Sequence, residues 1–282
     1  MRLVRCGEKG NEIPAVLGEG GTIHSLEGIV DDITPEFLVG GGLERLSFLE
    51  IDKLPSIDGE PRLGSPIRST GKIIAVGLNY AEHIRETGSR AQKEPVLFTK
   101  AVSSLSGPYD PIVRPKESSQ VDWEAELVIV IGKEALYVEE CEALDYVAGY
   151  CAGIDVSERS FQKERCGQWM KGKGCDSFAP IGPWIATPDE FLDIQSIDLR
   201  LSVNGAAQQN SNTRHMIFNI AFLVSYISQF MSLQPGDLIF TGTPDGVGMG
   251  QSPQRFLEEG DRVEMAIEGL GQQSHLVKNY EW

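Results

Sequence analysis

A short run of apolar residues at positions 127–131 (LVIVI) constrains the fold more than any other feature of the sequence. An unbroken run of this kind is typical of a strand that is buried on both faces. Other strand-like runs lie at residues 72–77, 94–100, 146–156, 199–205, 237–243 and 261–271, and helical patterns lie at residues 33–46, 78–88 and 213–231. Because the strands are spaced too irregularly for a doubly wound sheet, the sequence predicts an α+β fold of mixed, mostly antiparallel, curled β-sheets.

A change in composition near residue 68 divides the chain. Residues 54–70 are rich in Pro, Gly and Ser and have little periodicity, which is typical of a connection. Before this stretch the sequence indicates short strands and turns, including a glycine-rich hairpin in residues 13–26. We therefore expect a small β-rich domain at residues 1–68 and a larger domain at residues 69–282.

The charge of the chain excludes some classes of partner. Its 25 Lys and Arg residues against 41 Asp and Glu give a formal net charge of −16, which disfavours nucleic acid and anionic membrane surfaces. No apolar stretch is long enough to span a bilayer, and the five cysteines contain no C-x-x-C pair that would suggest a zinc site or a disulfide framework. The sequence predicts a cytoplasmic protein without a membrane or nucleic-acid partner.

Three acidic residues lie at the ends of apolar runs. Glu124 and Glu126 alternate at the start of the run at residues 127–131, so their side chains share one face of a strand. Asp155 ends another apolar run. Three carboxylates suit a hard cation such as Mg²⁺ or Mn²⁺, whereas zinc prefers His or Cys. A solvated acidic face is the alternative interpretation.

A histidine and a glutamate are placed for general base chemistry. His83 and Glu86 are three residues apart in a helical pattern, which puts them within reach of each other. A carboxylate that orients a histidine makes it a suitable base for water near neutral pH. The competing interpretation is a surface pair without chemical importance.

Two glycine-rich segments complete the candidate site residues. Lys171 and Lys173 lie among glycines, so that either lysine could reach an anion, although a flexible surface loop has the same composition. The second segment, residues 241–250, matches neither a phosphate loop nor a dinucleotide fingerprint, which disfavours nucleotide binding.

With these residues in place, the chain resembles the fumarylacetoacetate hydrolase superfamily from about residue 71 to its end. The resemblance rests on six motifs in order: VGLNYAEHIRE (76–86), PVLFTK (95–100), VDWEAELVIVIG (121–132), GIDVSERSFQ (153–162), KGCDSFAPIGP (173–183) and PGDLIFTGTPDGVG (235–248). The β-rich N-terminal part also resembles an appendage that many of these proteins carry. The small domain and the antiparallel sheets expected above agree with this resemblance.

The resemblance assigns roles to individual residues. It implies that Mg²⁺ or Mn²⁺ binds three acids, that a His–Glu pair activates water, that one lysine assists at the developing charge, and that four further residues lie near the substrate. These are, in that order, Glu124, Glu126 and Asp155; His83 and Glu86; Lys173; and Lys100, Arg159, Gln162 and Thr243. The chain departs from the pattern at Leu78, where many relatives have an arginine that contacts a carboxylate.

The resemblance also implies a reaction. The segment at residues 167–184 is most similar to the branch that hydrolyses 2,4-diketo-3-deoxy-L-rhamnonate or the fuconate derivative, which gives pyruvate and a hydroxy acid such as lactate. Acylpyruvate hydrolase, ureidoglycolate lyase, oxaloacetate decarboxylase and sugar-acid dehydratase remain open, as does a protein that binds a metal or keto acid without turnover. Relatives of this kind are commonly homodimers, so a homodimer is expected.

Overall fold

Strands outnumber helices in the computed structural model, which describes residues 1–281. The strands are β1 (Arg2–Cys6), β2 (Ile13–Leu17), β3 (Ile23–Ser25), β4 (Ile73–Gly77), β5 (Val96–Lys100), β6 (Leu105–Ser106), β7 (Ile112–Arg114), β8 (Val121–Asp122), β9 (Ala125–Ile131), β10 (Val147–Ile154), β11 (Ser157–Glu158), β12 (Ala179–Ala186), β13 (Asp198–Val203), β14 (Ala206–Asn212), β15 (Leu238–Phe240), β16 (Arg262–Ile267) and β17 (Gly271–Asn279). The α-helices are α1 (Pro35–Val39), α2 (Gly42–Ser47), α3 (Ala81–Glu86), α4 (Arg159–Lys163), α5 (Met170–Lys173) and α6 (Ile220–Ser228). This content confirms the predicted α+β fold.

One large sheet carries the candidate site. Nine of its ten strands follow the order β3-β2-β1-β12-β10-β9-β15-β4-β5, and β6 pairs with β12 off this path. Neighbours on the path are antiparallel except β15 and β4, which are parallel. A second sheet has the order β14-β13-β16-β17-β7, and β8 pairs with β11. The predominance of antiparallel pairs is as predicted.

Strand β9 explains why residues 127–131 are continuously apolar. Leu127, Ile129 and Ile131 pack into one hydrophobic core, whereas Val128 and Val130 pack into a second core on the opposite face of the sheet. Every residue of β9 is buried. Each such aliphatic side chain contributes about 1.5–3 kcal/mol by leaving water.

The N-terminal residues extend this sheet. Strand β1 pairs with β12 through Arg2↔Ala186 and Leu3↔Ile185, and Leu3 packs in the same core as Val128. A buried arginine, Arg5, binds the carboxylate of Asp32 and holds the turn after β3. The division of the chain near residue 68 stays a prediction.

The helical pattern at residues 213–231 gives a shorter helix than expected. Helix α6 begins after Asn219, whose side chain accepts the Phe222 N–H, and a separate 3₁₀ turn covers Thr213–His215. Between them, the amide of Asn79 binds both the N–H and the carbonyl of Phe218 and keeps this residue out of the helix. The helix is therefore limited by a side chain that is distant in sequence.

The structure also bears on the membrane prediction. Across residues 1–281, no helix combines the length and the apolar character needed to cross a bilayer.

Candidate functional site

Three carboxylates meet where β9 begins and β10 ends. Because these strands are antiparallel, with Gly153 opposite Glu126, Asp155 lies beside Glu124, and the Asp155 N–H donates to the Glu124 carbonyl at 2.9 Å. One carboxylate oxygen from each of Glu124, Glu126 and Asp155 lies within 4.8 Å of the others. All three side chains are buried, with 5%, 1% and 0% of their residue surface exposed. The strand pairing thus gathers the acids that the sequence singled out.

The donor set of this cluster fits a hard divalent cation. It offers only carboxylate oxygens, which Mg²⁺ and Mn²⁺ prefer. Glu126 accepts an N–H from Gly242 at 2.7 Å, but no Lys, Arg or His among residues 1–281 lies within 4.0 Å of it. Burial, followed by the charges of Asp155 and Glu124, raises the pKa of Glu126 well above its usual value. A bound cation would relieve this repulsion.

Buried cations neutralise the other two acids. The Lys173 ammonium lies 2.6 Å from Glu124 Oε2 and 2.7 Å from Asp155 Oδ2. The Arg159 guanidinium donates to Glu124 Oε1 at 2.7 Å, and Lys100 donates to Asp155. Burial acts to raise the pKa of Glu124, but the charges of Lys173 and Arg159 outweigh it, so the pKa is lowered. Glu124 is therefore held in its ionised form.

The two buried lysines occupy different places. Lys100 donates to Asp155 and to the Val156 carbonyl, and it lies behind the acids rather than in the lining of the adjoining pocket. Lys173 lines the pocket, 5.0 Å from the centre of the Phe98 ring. Burial acts to lower the pKa of Lys173, but Asp155 and Glu124 outweigh it and raise the pKa. Lys173 thus keeps its charge next to the pocket.

Lys171, the other lysine of the glycine-rich segment, lies outside the pocket lining. The Lys171 ammonium donates to the Arg165 carbonyl at 3.0 Å, in an exposed contact. Of the two lysines in the glycine-rich segment, only Lys173 contacts the acids among the described residues.

His83 and Glu86 form the expected pair on α3. His83 Nδ1 lies 2.9 Å from Glu86 Oε1, and Glu86 Oε2 accepts the Gly246 N–H at 2.9 Å. His83 is buried and lines the pocket. When Nδ1 donates to Glu86, Nε2 keeps its lone pair and can accept a proton.

The pocket itself is small. Its volume is about 70 Å³. Its polar lining is His83, Thr87, Ser89, Glu124, Glu126, Arg159, Gln162, Lys163, Lys173 and Thr243, and its other lining residues are Val76, Gly77, Leu78, Phe98, Trp169 and Met249. The Trp169 ring packs against Phe98 at 5.2 Å between centroids. An open depression of about 490 Å³ on the five-stranded sheet is larger, but it contains no comparable group of acids among its lining residues.

The remaining predicted substrate residues line this pocket. Gln162 Oε1 accepts from Arg159 at 3.1 Å, and Thr243 Oγ1 donates to the Ala125 carbonyl at 3.0 Å. Leu78 also lines the pocket, and its φ of 60° lies in the left-handed region, which is strained for a leucine. The roles of Gln162 and Thr243 stay predictions.

Sequence reasoning missed Asp122, which organises one side of the site. Its fully buried carboxylate accepts the N–H groups of Gly248 and Met249 at 2.7 and 3.0 Å, and it accepts Arg159 Nε at 2.8 Å. The signal was present, because Asp122 continues the alternation of Glu124 and Glu126 one step earlier.

Comparison with known proteins places this chain in a family. The family model described as fumarylacetoacetate (FAA) hydrolase C-terminal matches residues 72–278. A curated protein of Burkholderia orbicola (strain MC0-3) is 50% identical over 280 residues, 99% of each chain, and its name suggests a hydrolase without giving a substrate.

Two solved structures are similar over the full length. A fumarylacetoacetate hydrolase from Exiguobacterium antarcticum is 35% identical, with a TM-score of 0.87 and coverage of 99% of this chain and 100% of the other. A maleylpyruvate hydrolase from Sphingobium sp. SYK-6, solved with manganese(II) and pyruvate, is 30% identical, with a TM-score of 0.80 and coverage of 100% of both chains. The chain therefore belongs to the fumarylacetoacetate hydrolase family.

Proposed function

We propose that this protein is a metal-dependent hydrolase that cleaves a carbon–carbon bond in a small 2,4-diketo acid. The single observation that carries the proposal is that one pocket is lined both by two acids of an all-carboxylate cluster, Glu124 and Glu126, and by His83, whose ring is paired with Glu86. As substrate we propose a 2,4-diketo-3-deoxy sugar acid such as L-2,4-diketo-3-deoxyrhamnonate, which would give pyruvate and lactate. The manganese and pyruvate in the related maleylpyruvate hydrolase support a keto-acid ligand.

Glu124, Glu126 and Asp155 would hold the Mg²⁺ or Mn²⁺ ion. When bound, the ion supplies a Lewis acid that polarises the oxygens of a bound keto acid. Lys100 and Arg159 keep Asp155 and Glu124 in place through the contacts described above. The acids are thus oriented by the protein before a ligand arrives.

His83 would act as the general base. Its Nδ1 is engaged by Glu86, so Nε2 takes a proton from a water molecule that attacks the C4 carbonyl of the substrate. Glu86 is itself fixed by the Gly246 N–H, which limits rotation of the imidazole. A general base of this kind contributes about 10²–10⁴-fold to a rate.

Lys173 would act at the other end of the cleavage. As the C3–C4 bond breaks, its electron pair moves to C3 and the hydroxyl group from water remains on C4, which becomes the carboxyl carbon of the hydroxy acid. The Lys173 ammonium stabilises the negative charge of the departing pyruvate enolate. Protonation at C3 then yields pyruvate.

A substrate panel tests this proposal. Purified protein is incubated with 2,4-diketo-3-deoxy-L-rhamnonate, an acylpyruvate, oxaloacetate and ureidoglycolate, each with Mg²⁺, Mn²⁺ or EDTA. We expect metal-dependent release of pyruvate and lactate in equal amounts from the rhamnonate derivative. Faster turnover of another compound would reassign the substrate, and metal binding without turnover of any of them would favour a binding protein.

A further inference from the structure

Lys163, the last residue of α4, is a pocket residue to which the resemblance gives no role. Its side chain lines the pocket together with Leu78 and Trp169. Among residues 1–281, no carboxylate lies within 4.0 Å of its ammonium and no hydrogen bond joins it. The charge of Lys163 is thus left without a partner in the protein.

The other cations of the site are already neutralised. Lys173 contacts Glu124 and Asp155, Lys100 contacts Asp155, and Arg159 contacts Asp122 and Glu124. A ligand anion would have to compete with these buried carboxylates for any of the three. The pocket lining includes Arg159, Lys163 and Lys173. Of these three, Lys163 is the one that a ligand anion could bind without displacing an existing ion pair.

The surroundings of Lys163 favour an anion. Partial burial, followed by the charge of Arg159, lowers the pKa of Lys163, because these effects outweigh the opposing charges of Glu124 and Asp122. A bound carboxylate would supply a counter-charge within ion-pair distance. The chain as a whole carries a net charge of −16, which repels anionic ligands. A local positive charge at Lys163 would oppose this repulsion at the pocket.

We propose that Lys163 binds the carboxylate of the keto-acid ligand and selects acids over neutral ketones. The proposal rests on the proposed function, since it concerns the ligand of the same pocket. Lys163 is an exposed residue that follows Gln162, and Gln162 is buried against Arg159, so the backbone of Lys163 is anchored beside the pocket while its side chain can reach a ligand. Arginine at position 163 would keep the charge, whereas methionine would keep only the length.

Ligand binding to the Mn²⁺-loaded protein tests the proposal without requiring turnover. Pyruvate and its neutral counterpart pyruvamide are compared through the broadening of their methyl proton signals by the bound Mn²⁺. The variants are Lys163→Met and Lys163→Arg, with Lys171→Met as a control that removes one positive charge outside the pocket lining. Metal affinity is measured for each variant.

We expect Lys163→Met to weaken pyruvate binding about five- to tenfold, because the ion pair is partly exposed, and to leave pyruvamide binding and metal affinity unchanged. Lys163→Arg and Lys171→Met should bind pyruvate within about twofold of the parent protein. Equal losses for pyruvate and pyruvamide, or no loss for pyruvate, would overturn the role of Lys163 and leave the proposed function standing. Absence of pyruvate binding by the parent protein would overturn both.

Discussion

Glu126 differs from the other two acids of the site because its balancing charge has to come from outside the protein. Glu124 and Asp155 each contact buried cations, whereas the Glu126 side chain accepts a hydrogen bond from the backbone N–H of Gly242. Its raised pKa means that the metal-free protein stabilises its protonated form. Metal binding requires the ionised form of Glu126, so a proton and the metal ion compete for this carboxylate.

This competition predicts a pH-dependent effect of metal on stability. A carboxyl group with a raised folded-state pKa stabilises the metal-free protein at low pH, and this contribution is lost as the pH rises through that pKa. We therefore expect the increase in Tm on adding Mn²⁺ to be larger at pH 8 than at pH 5.5. Thermal unfolding with and without Mn²⁺ measures it, and Glu126→Gln should abolish the difference. An increase that is equal at both pH values would contradict the assignment of Glu126.

Replacing His83 should separate catalysis from metal binding. We expect His83→Gln to lower the rate of hydrolysis about 10²–10⁴-fold while the metal affinity stays nearly unchanged, because His83 is paired with Glu86 rather than with the acids. Steady-state kinetics and Mn²⁺ titration give the two quantities. Glu126→Gln serves as the comparison, since it should lose both. If His83→Gln kept full activity, another group would have to be the base.

At the residue scale, the sequence could predict the acids but not all of their partners. Glu124 and Glu126 were identifiable because alternation on a strand places them on one face, next to a buried run. Lys163 carries no such local signal, since its importance depends on which other cations are already paired. That pairing exists only once distant strands have come together.

At the scale of elements, Asp122 joins β8, the 3₁₀ turn at Gly248–Gly250 and helix α4. In Asp122→Asn, an NH₂ group replaces one carboxylate oxygen and faces N–H donors in either orientation, those of Trp123 and Gly248 or those of Met249 and Arg159, so that donors are left unsatisfied in the core. We expect a loss of about 2–4 kcal/mol in the free energy of unfolding and a lower kcat. Urea unfolding measures the loss, with Asp145→Asn on the surface as the control. Unchanged stability would show that Asp122 does not hold these elements together.

Trp169 lines the pocket, and Gly77 at the end of β4 makes room for its ring. A Cβ atom at Gly77 would lie 2.8 Å from Trp169 Cζ3, so an alanine must displace the ring. We expect Gly77→Ala to raise KM severalfold while the metal affinity is retained. Kinetics of Gly77→Ala and of the double variant with Trp169→Leu check this, because the smaller side chain should relieve the clash. A KM unaffected in both variants would exclude a role for this contact.

The elements differed in how well the sequence predicted them. The apolar strands β4, β9, β10 and β15 were identifiable because both of their faces are buried. Strand β14 (AAQQNSN) has no apolar alternation and is a strand because it pairs with β13 along its length. Helix α6 was overestimated because the contact of Asn79 with Phe218 is long-range. Local pattern therefore predicts elements that are defined by burial and misses those defined by pairing.

For the whole molecule, the shared sheet predicts that residues 1–68 and 69–282 depend on each other. Leu3, Val16 and Leu26 pack in one core with Val128 and Phe240, and removing the N-terminal part would expose that core. We expect residues 69–282 alone to show no cooperative thermal transition, while the full chain unfolds in one step. Circular dichroism during heating tests both. A fragment that unfolds cooperatively and binds Mn²⁺ would establish the division near residue 68 as a true domain boundary.

The ion pairs of Lys100, Arg159 and Lys173 with the site acids have a consequence for how the protein handles its metal. These pairs give Glu124 and Asp155 counter-charges from the polypeptide itself, which would remain after a metal ion is removed. Chelation should give an inactive but folded apoprotein that recovers activity when Mg²⁺ or Mn²⁺ is returned. The metal would then be a reversible control of the enzyme, and the supply of ions around it would set what fraction of the molecules is active.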